Sequence, residues 1–489
     1  MARASRTAVV GGIVGVAVAA LVAGAVIVVA RDDGGSSAAE AAGARVETAA
    51  RSGDAGGEGH SAHPIRPGDV GQLTQAWRVD GQVGVTGKPT VRGHTVYFGN
   101  WAGSVVAADL RTGKVAWSTP VTARQGLGID GAALVTARRV YVGDADGMLH
   151  ALSRDTGQKV WSTELDAHPQ TRIFSTPVLV PPPASHGHGL IVIGVASTEL
   201  VLDKADFTFR GSVVGLDAAS GEIRWRLPVS AGSDGAGSSV WSSAAIDRHR
   251  HLAFIGTGQA YEHPAGHLSD SLLAIRYDTG KLAWSRQFTA DDVWTFFAKP
   301  PVGPDADIGA TPSLFRAGGR DLVGVGDKAG TFDVFDRKTG ETVWARELTK
   351  GSMLGGVMVT AAVGPKTIYV TSNEMDRSQL GNVASDTHHS TLFALDARTG
   401  AVRWQKSLPG ATFGSITYAD GVVYRPSVPG VLQAFDARTG ELLWSSEPGG
   451  DMGAGVRVVD GWLLVPHGFW FIVSPPNPIG GVVAYRVAK

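Results

Sequence analysis

The sequence predicts an all-β protein folded as an eight-bladed β-propeller. Three observations predict it: a Gly–Trp motif that recurs along the chain, a hairpin pattern upstream of each copy, and a composition rich in turn and strand formers. Glycine accounts for 66 of 489 residues and tryptophan for 13, and 43% of the chain is apolar. That apolar supply fills a large core and excludes wholesale disorder. Many glycines beside many β-compatible aromatics belong to sheets joined by tight turns.

The repeat is explicit. Gly113, Gly157, Gly221, Gly280, Gly340, Gly400 and Gly440 are each followed four residues later by tryptophan: Trp117, Trp161, Trp225, Trp284, Trp344, Trp404 and Trp444. Thr or Ser precedes every one of these glycines, and Asp109, Asp217, Asp336, Asp396 and Asp436 lie four residues before five of them. Ser153 and Arg276 fill that slot in the other two. Asp and Thr side chains bond turn backbone and Gly accepts positive φ, so a strand such as Leu392–Leu395 reverses at Asp396–Gly400. The next strand then places Trp404 on a buried face. A second hairpin lies upstream, as at Thr417–Tyr424 around Asp420-Gly421, so each unit holds four strands.

An eighth copy is split between the two ends of the repeat region. Trp77, in Leu73–Trp77, resembles the outer Trp strand without a turn before it, and Gly455–Val487 supplies inner strands without a Trp strand after them. Joined, they complete one blade and close the ring, which removes an open sheet edge. A seven-bladed ring is the competing count. Successive Trp-to-Trp steps are 40, 44, 64, 59, 60, 60 and 40 residues. Four consecutive blades therefore carry extra loop, and long loops carry function more often than scaffold does, so the site is expected among residues 161–404.

Residues 8–30 form an uncharged apolar run after Arg3 and Arg6. About 20 apolar residues span a bilayer, so residues 1–30 are expected to be a cytoplasmic stub and transmembrane signal anchor, with the rest outside the cytoplasm. Cleavage and secretion is the alternative. Residues 31–68, rich in Gly, Ala and Ser, read as a flexible linker to a propeller at 69–489. Lys+Arg 44 against Asp+Glu 45 leaves no basic excess for a nucleic-acid partner. The chain has no cysteine, which excludes disulfides, thiolate metal sites and covalent c-type haem within it.

The segments Ile255–Tyr261, Ser269–Ala274, Gln287–Trp294, Arg210–Val214 and Val325–Gly330 resemble blade-specific segments of the quinoprotein alcohol dehydrogenases, which use pyrroloquinoline quinone (PQQ) on an eight-bladed propeller. The polyvinyl-alcohol dehydrogenase branch is the most similar. The resemblance covers roughly residues 70–489; the repeat alone is shared with non-enzymatic propellers, outer-membrane assembly factors among them.

Position by position, the resemblance implies the following roles. Glu199 resembles a metal-binding glutamate, and Gln259 occupies the slot of a metal-binding asparagine. Asp270 resembles the catalytic aspartate, which also binds the metal. Trp241 resembles the tryptophan that stacks on the quinone, and Lys328 the basic residue at its reactive carbonyl. Carboxylate and carbonyl oxygens suit Ca²⁺, a Lewis acid at that carbonyl. Asp270 would take the alcohol proton and Lys328 would stabilise charge on oxygen. Leu272 stands where lanthanide-using members carry a further Asp, which points to Ca²⁺. A small-molecule or polymeric alcohol and a separate electron acceptor follow as partners.

The chain departs from the family pattern in four places. Gln259 is one methylene longer than Asn, Val359 stands where a Trp is expected, Phe174 replaces a Thr near the cofactor carboxylates, and the family's adjacent-cysteine ring is missing. A propeller that kept its blades and serves as a non-catalytic binding or assembly scaffold is the alternative reading.

Overall fold

The computed structural model describes residues 63–123, 128–181, 189–230, 232–299, 302–351, 354–375, 388–468 and 480–488. The expected anchor at 8–30 and most of the linker lie outside the described residues. Among the described residues no helix is long and apolar enough to cross a membrane.

Eight antiparallel sheets form the molecule. Blade 1 runs Thr90–Arg92, Thr95–Gly99, Ser104–Asp109 and Val115–Pro120, and blade 2 runs Leu134–Val135, Arg139–Gly143, Met148–Ser153 and Lys159–Glu164. Each of the following blades repeats this order, first strand innermost. First strands of adjoining blades touch one another, as Ala245–Asp247 touches Ser313–Ala317 and Ser313–Ala317 touches Ala362–Val363. Among the described residues, blade 3 alone has a fifth strand, Thr171–Arg172, paired with Ala196 and Ser197.

The eighth blade is split as expected. Its inner strands are Arg457–Val459, Trp462–His467 and Gly481–Val487, and its outer strand is Leu73–Val79 from the other end of the propeller. Trp77 pairs with Ala484 across that closing ladder.

The repeat motif acts between blades. The seven motif glycines have φ of 69–77°, a region open to Gly without strain. A Cβ on Gly113 would come 2.7 Å from the Trp77 ring of the preceding blade, and one on Gly440 would come 2.8 Å from Trp404. Each glycine is therefore the seat for its neighbour's indole. The indole Nε1 of Trp77 then donates to Leu110 O at 2.9 Å, and that of Trp225 to Tyr277 O at 2.7 Å. Within its own blade the tryptophan faces a small residue at a register shift, as Trp117 faces Ala107 and Trp404 faces Ala394. The turns close as expected: Asp109 Oδ1 accepts from the backbone N–H of Arg111 and Thr112 and from the Thr112 hydroxyl.

One detail differs from expectation. Trp77 and Trp225 are buried, but Trp404 and its counterparts on the other outer strands are half-buried. One ring face covers glycine while the outer strand's other side meets water.

Trp444 breaks the pattern, because blade 8 has chain ends where the motif turn would be. Its ring instead meets Tyr485 edge-on at 5.3 Å. Ring closure thus rests on Trp77, and Trp77→Ala should destabilise the protein by about 3–5 kcal/mol in urea titrations, as for other buried aromatic truncations. Truncation from Gly481 onward, which removes the partner strand of Leu73–Val79, should lower Tm further.

Candidate active site

Strand ends and loops of blades 3 to 5 line a cleft open to solvent, about 430 Å³ when its solvent-filled mouth is counted. Trp241, Tyr261, Trp294 and Phe296 give it aromatic walls, Ser197 and Ser239 hydroxyls, and Asp305, Asp307 and Lys328 charges. All lie within residues 161–404, where the expanded blades place the site.

Trp241 is held rigidly. A Cβ on Gly309 would overlap its six-membered ring, so only glycine lets the indole seat there. Lys328 Nζ stands 5.9 Å from the centre of the Trp241 ring, within cation–π range. The lysine is buried, and its ammonium pairs with Asp305 Oδ1 at 2.8 Å and with Asp307 Oδ2. Burial alone would favour neutral amine, but the two carboxylates outweigh it and hold the ammonium above the usual lysine range.

Gln259 borders the same cavity. Its backbone N–H donates to Asp307 Oδ1 at 2.8 Å, and its side-chain amide, oriented by the hydrogen-bond network, donates to Asp307 Oδ2 at 3.2 Å. The neighbouring Gly258 is required, since a Cβ there would overlap Asp307 Oδ1.

Asp270 is fully buried and does not border the cavity. Neither carboxylate oxygen has a hydrogen-bond partner. Burial raises its pKa well above the carboxylate range, and the charges of Asp292, Asp307 and Asp305 raise it further, with Lys328 pulling the other way. Asp305 is subject to the same burial, which pushes its pKa up, while the ion pair with Lys328 pulls it down.

Glu199 is set apart from this group. It sits in the one-turn helix Glu199–Val201, and its Oε1 accepts from Lys204 Nζ at 2.7 Å and lies 3.3 Å from His168 Nε2. Its Oε2 accepts the Phe209 N–H at 2.8 Å. Burial opposes its ionisation, but these donors, Lys204 first, lower its pKa below the usual value. The expected metal ligands are therefore not gathered: Glu199 is committed to internal donors and Gln259 to Asp307. Among the described residues no three His, Cys, Asp or Glu side chains stand at metal-holding spacing. As placed, these residues do not make a calcium site.

The quinone half of the expectation fits better. An indole face, a fixed cation beside it and nearby hydroxyls suit the carbonyl edge and carboxylates of a planar aromatic acid. Phe174 and Val359 pack in the same apolar cluster as Trp241, and Phe174 lines the cavity, so that side of the cavity is oily. Asp305 and Asp307, the carboxylates that do face the cavity, escaped sequence reasoning. Asp305-Ala306-Asp307 lies in a Pro- and Gly-flanked loop where paired acids look like turn formers. Their alternation, two residues apart beside a blade-specific segment, was the available signal.

Residues 50–350 match the PQQ family described as "Glucose/ethanol/alcohol dehydrogenase, beta-propeller domain", and residues 328–487 match "Outer membrane protein assembly factor BamB". The chain therefore belongs to the PQQ-type quinoprotein alcohol dehydrogenase-like β-propeller family of oxidoreductases. The polyvinylalcohol dehydrogenase of Sphingopyxis is 33% identical over 223 residues, covering 40% of this chain and 33% of that protein. That of a Pseudomonas species is 27% identical over 379 residues, covering 70% of this chain and 50% of that protein. This chain thus spans between a third and half of the length of these relatives. In three dimensions it is similar to a quinohemoprotein alcohol dehydrogenase of Pseudomonas putida, with TM-score 0.71 and 22% identity over 87% of this chain and 78% of that one. BamB of Moraxella catarrhalis shares the fold at TM-score 0.54 and 15% identity, over 85% of this chain and 99% of that one.

The seat of Trp241 is directly testable. Gly309→Ala should displace the indole and lower stability by about 1–3 kcal/mol, the usual range for overpacking. In urea titrations, an unchanged midpoint would show that Trp241 is not held there.

Proposed function

We propose that this chain is a membrane-anchored, extracytoplasmic quinoprotein oxidoreductase that oxidises an alcohol with bound PQQ. The observation that carries the reading is the buried Lys328 ammonium standing 5.9 Å from the centre of the Trp241 ring in the wall of one cleft. The relatives named polyvinylalcohol dehydrogenase and quinohemoprotein alcohol dehydrogenase support alcohol as the substrate class. The apolar run at 8–30 behind Arg3 and Arg6 supports the anchor and the outward side.

When bound, PQQ supplies the two-electron acceptor. Trp241 would offer its ring face to the planar cofactor, and Ser197 and Ser239 would donate hydrogen bonds to its carboxylates. Lys328 would hold negative charge on an oxygen at the cavity edge, in a site dry enough for that charge to count. Phe296 and Trp294 add apolar wall to the same space. The absence of cysteine leaves electron release to a separate acceptor.

Asp270 is the proposed acceptor of the alcohol proton, a role that needs its carboxylate form, favoured at alkaline pH because burial raises its pKa, and a proton relay from the cavity. Asp270→Asn should lower dye-linked alcohol oxidation by about 100-fold or more, the worth of a general base, while leaving PQQ retention intact. Equal turnover in the variant would remove Asp270 from the mechanism. The scaffold alternative draws on the match of residues 328–487 to the BamB family. Incubating the purified protein with PQQ and calcium, desalting it and recording the quinone absorbance separates the two. Wild-type protein that retains no PQQ would leave the scaffold.

A further inference from the structure

Blade 2 carries a chain of three polar side chains that lies outside the cleft and that the proposed oxidation does not use. His150 Nε2 lies 2.8 Å from Asp144 Oδ2, and its Nδ1 lies 2.7 Å from Ser162 Oγ. The side chains of His150 and Asp144 are 3% and 1% exposed, whereas Ser162 is exposed. We propose that Ser162 is an acylation site: a serine made nucleophilic by His150 and Asp144, which takes the acyl group of esters or thioesters whose leaving group is a weak base. The serine alone does not mark the site. The position after the motif tryptophan is serine in blades 1, 2, 4 and 7, where Ser118, Ser162, Ser285 and Ser445 face Val106, His150, Leu273 and Gln433. Of these four, blade 2 sets a base opposite the hydroxyl.

The hydrogen-bond network fixes the histidine tautomer. Asp144 Oδ1 accepts the backbone N–H of Asp146 at 2.9 Å and of Met148 at 3.0 Å, which leaves Oδ2 to accept from His150. Nε2 therefore carries the ring proton, and the Nδ1 lone pair faces the Ser162 hydroxyl, as a general base requires. Leu165 N–H donates inward to Gly147 O at 2.8 Å, so the alternation of an antiparallel ladder turns the Ser162 N–H outward. Strand Lys159–Glu164 is the outermost of its sheet, which places that N–H to meet the oxyanion formed when Oγ attacks. In the reaction the Ser162 proton passes to His150 Nδ1 and Oγ bonds the acyl carbon. The C–O or C–S bond to the leaving group breaks, and its electron pair departs with that group. The buried imidazolium cannot follow the departing atom to protonate it, so the leaving group must be stable as an anion, as a phenolate or thiolate is. Nor can His150 prime a water that arrives from solvent on the far side of the acyl carbon. The acyl-serine therefore accumulates.

The test is acetylation by p-nitrophenyl acetate. Wild-type protein should release a burst of about one phenolate per chain, with the acetyl group on Ser162 and none on Ser118 by peptide mass spectrometry. Ethyl acetate, whose ethoxide is a poor leaving group, should leave Ser162 unmodified. Blade 1 supplies substitutions that the fold already accepts. It has Val106 in the slot of His150 and Asn100 in that of Asp144, where Asn100 Oδ1 accepts the Ser104 N–H at 2.9 Å. His150→Val should slow the burst by about 100-fold or more, the worth of a general base, with little change in Tm. Asp144→Asn should slow it similarly: its oxygen stays on the turn N–H groups, its NH₂ meets Nε2, and the ring proton moves to Nδ1, against the serine. Ser162→Ala should remove the burst. No acetyl on Ser162, acetylation of Ser118 at the same rate, or a burst that survives His150→Val would each overturn the proposal. Acetylation of Ser162 by ethyl acetate would overturn the substrate class assigned to it.

Discussion

The contact on which the rest of the molecule depends is an indole on a glycine. Each outer-strand tryptophan from Trp77 to Trp404 lies over the turn glycine of the next blade, where any Cβ would collide with it. Positive φ at the glycine and a small residue opposite the tryptophan make the approach possible from both sides. The contact couples blade to blade, so no sheet holds its place alone. The ladder of Leu73–Val79 with Gly481–Val487 joins the two ends of the propeller, and Trp77 on that strand seats the closing blade on Gly113, so the ring has no exposed edge.

A closed ring can carry charge that a less constrained fold could not. Asp270, Asp292, Asp305, Asp307 and Lys328 are all buried in one region of blades 4 and 5. Burying such groups is unfavourable unless partners or backbone donors compensate. Lys328 pairs with Asp305 and Asp307, and Asp292 accepts backbone N–H groups. Asp270 has neither, and its pKa rises accordingly. The excess of carboxylate over ammonium makes this corner the natural place for a cationic ligand or a proton, while the walls formed by Tyr261, Trp294 and Phe296 suit an aromatic ring. The two halves of the cavity thus ask for different chemistry.

The sequence announced the architecture because repetition is a one-dimensional signal. Gly280 and Trp284 can be matched to Gly340 and Trp344 by spacing alone, and the split blade follows from counting what lies at either end. The site was legible only where a residue's role is set by its own blade. Trp241, Gln259 and Lys328 do meet at one cavity. Glu199 does not join them, because its carboxylate is captured by Lys204 and by the N–H groups of Thr208 and Phe209, a local loop arrangement that no spacing encodes. Asp305 and Asp307 were missed for the converse reason. Their meaning comes from Lys328, over twenty residues away along the chain and adjacent only once the blade is folded.

Backbone strain gives an independent view of where the ring spends its rigidity. Among the described residues, three of the eight non-glycine residues at positive φ, His251, Asp420 and Asp460, sit in hairpin turns. Ser238, Asp270 and Asp305 are different: they are buried, Asp305 in the cavity wall and Ser238 and Asp270 bonded to the Gln259–Gly258 segment behind it. Ser238 N–H donates to Gln259 O at 2.8 Å, and Asp270 N–H to Gly258 O at 3.2 Å, so both lean on the Gly258–Gln259 corner that also receives Asp307. Such conformations each disfavour the fold by about 1–3 kcal/mol and persist where the surroundings over-determine them. They would be lost first in a propeller kept only for its surface. Their concentration around Lys328 and Trp241, on a scaffold whose blades are fixed by their indoles, is what a preorganised polar site in a buried cavity requires.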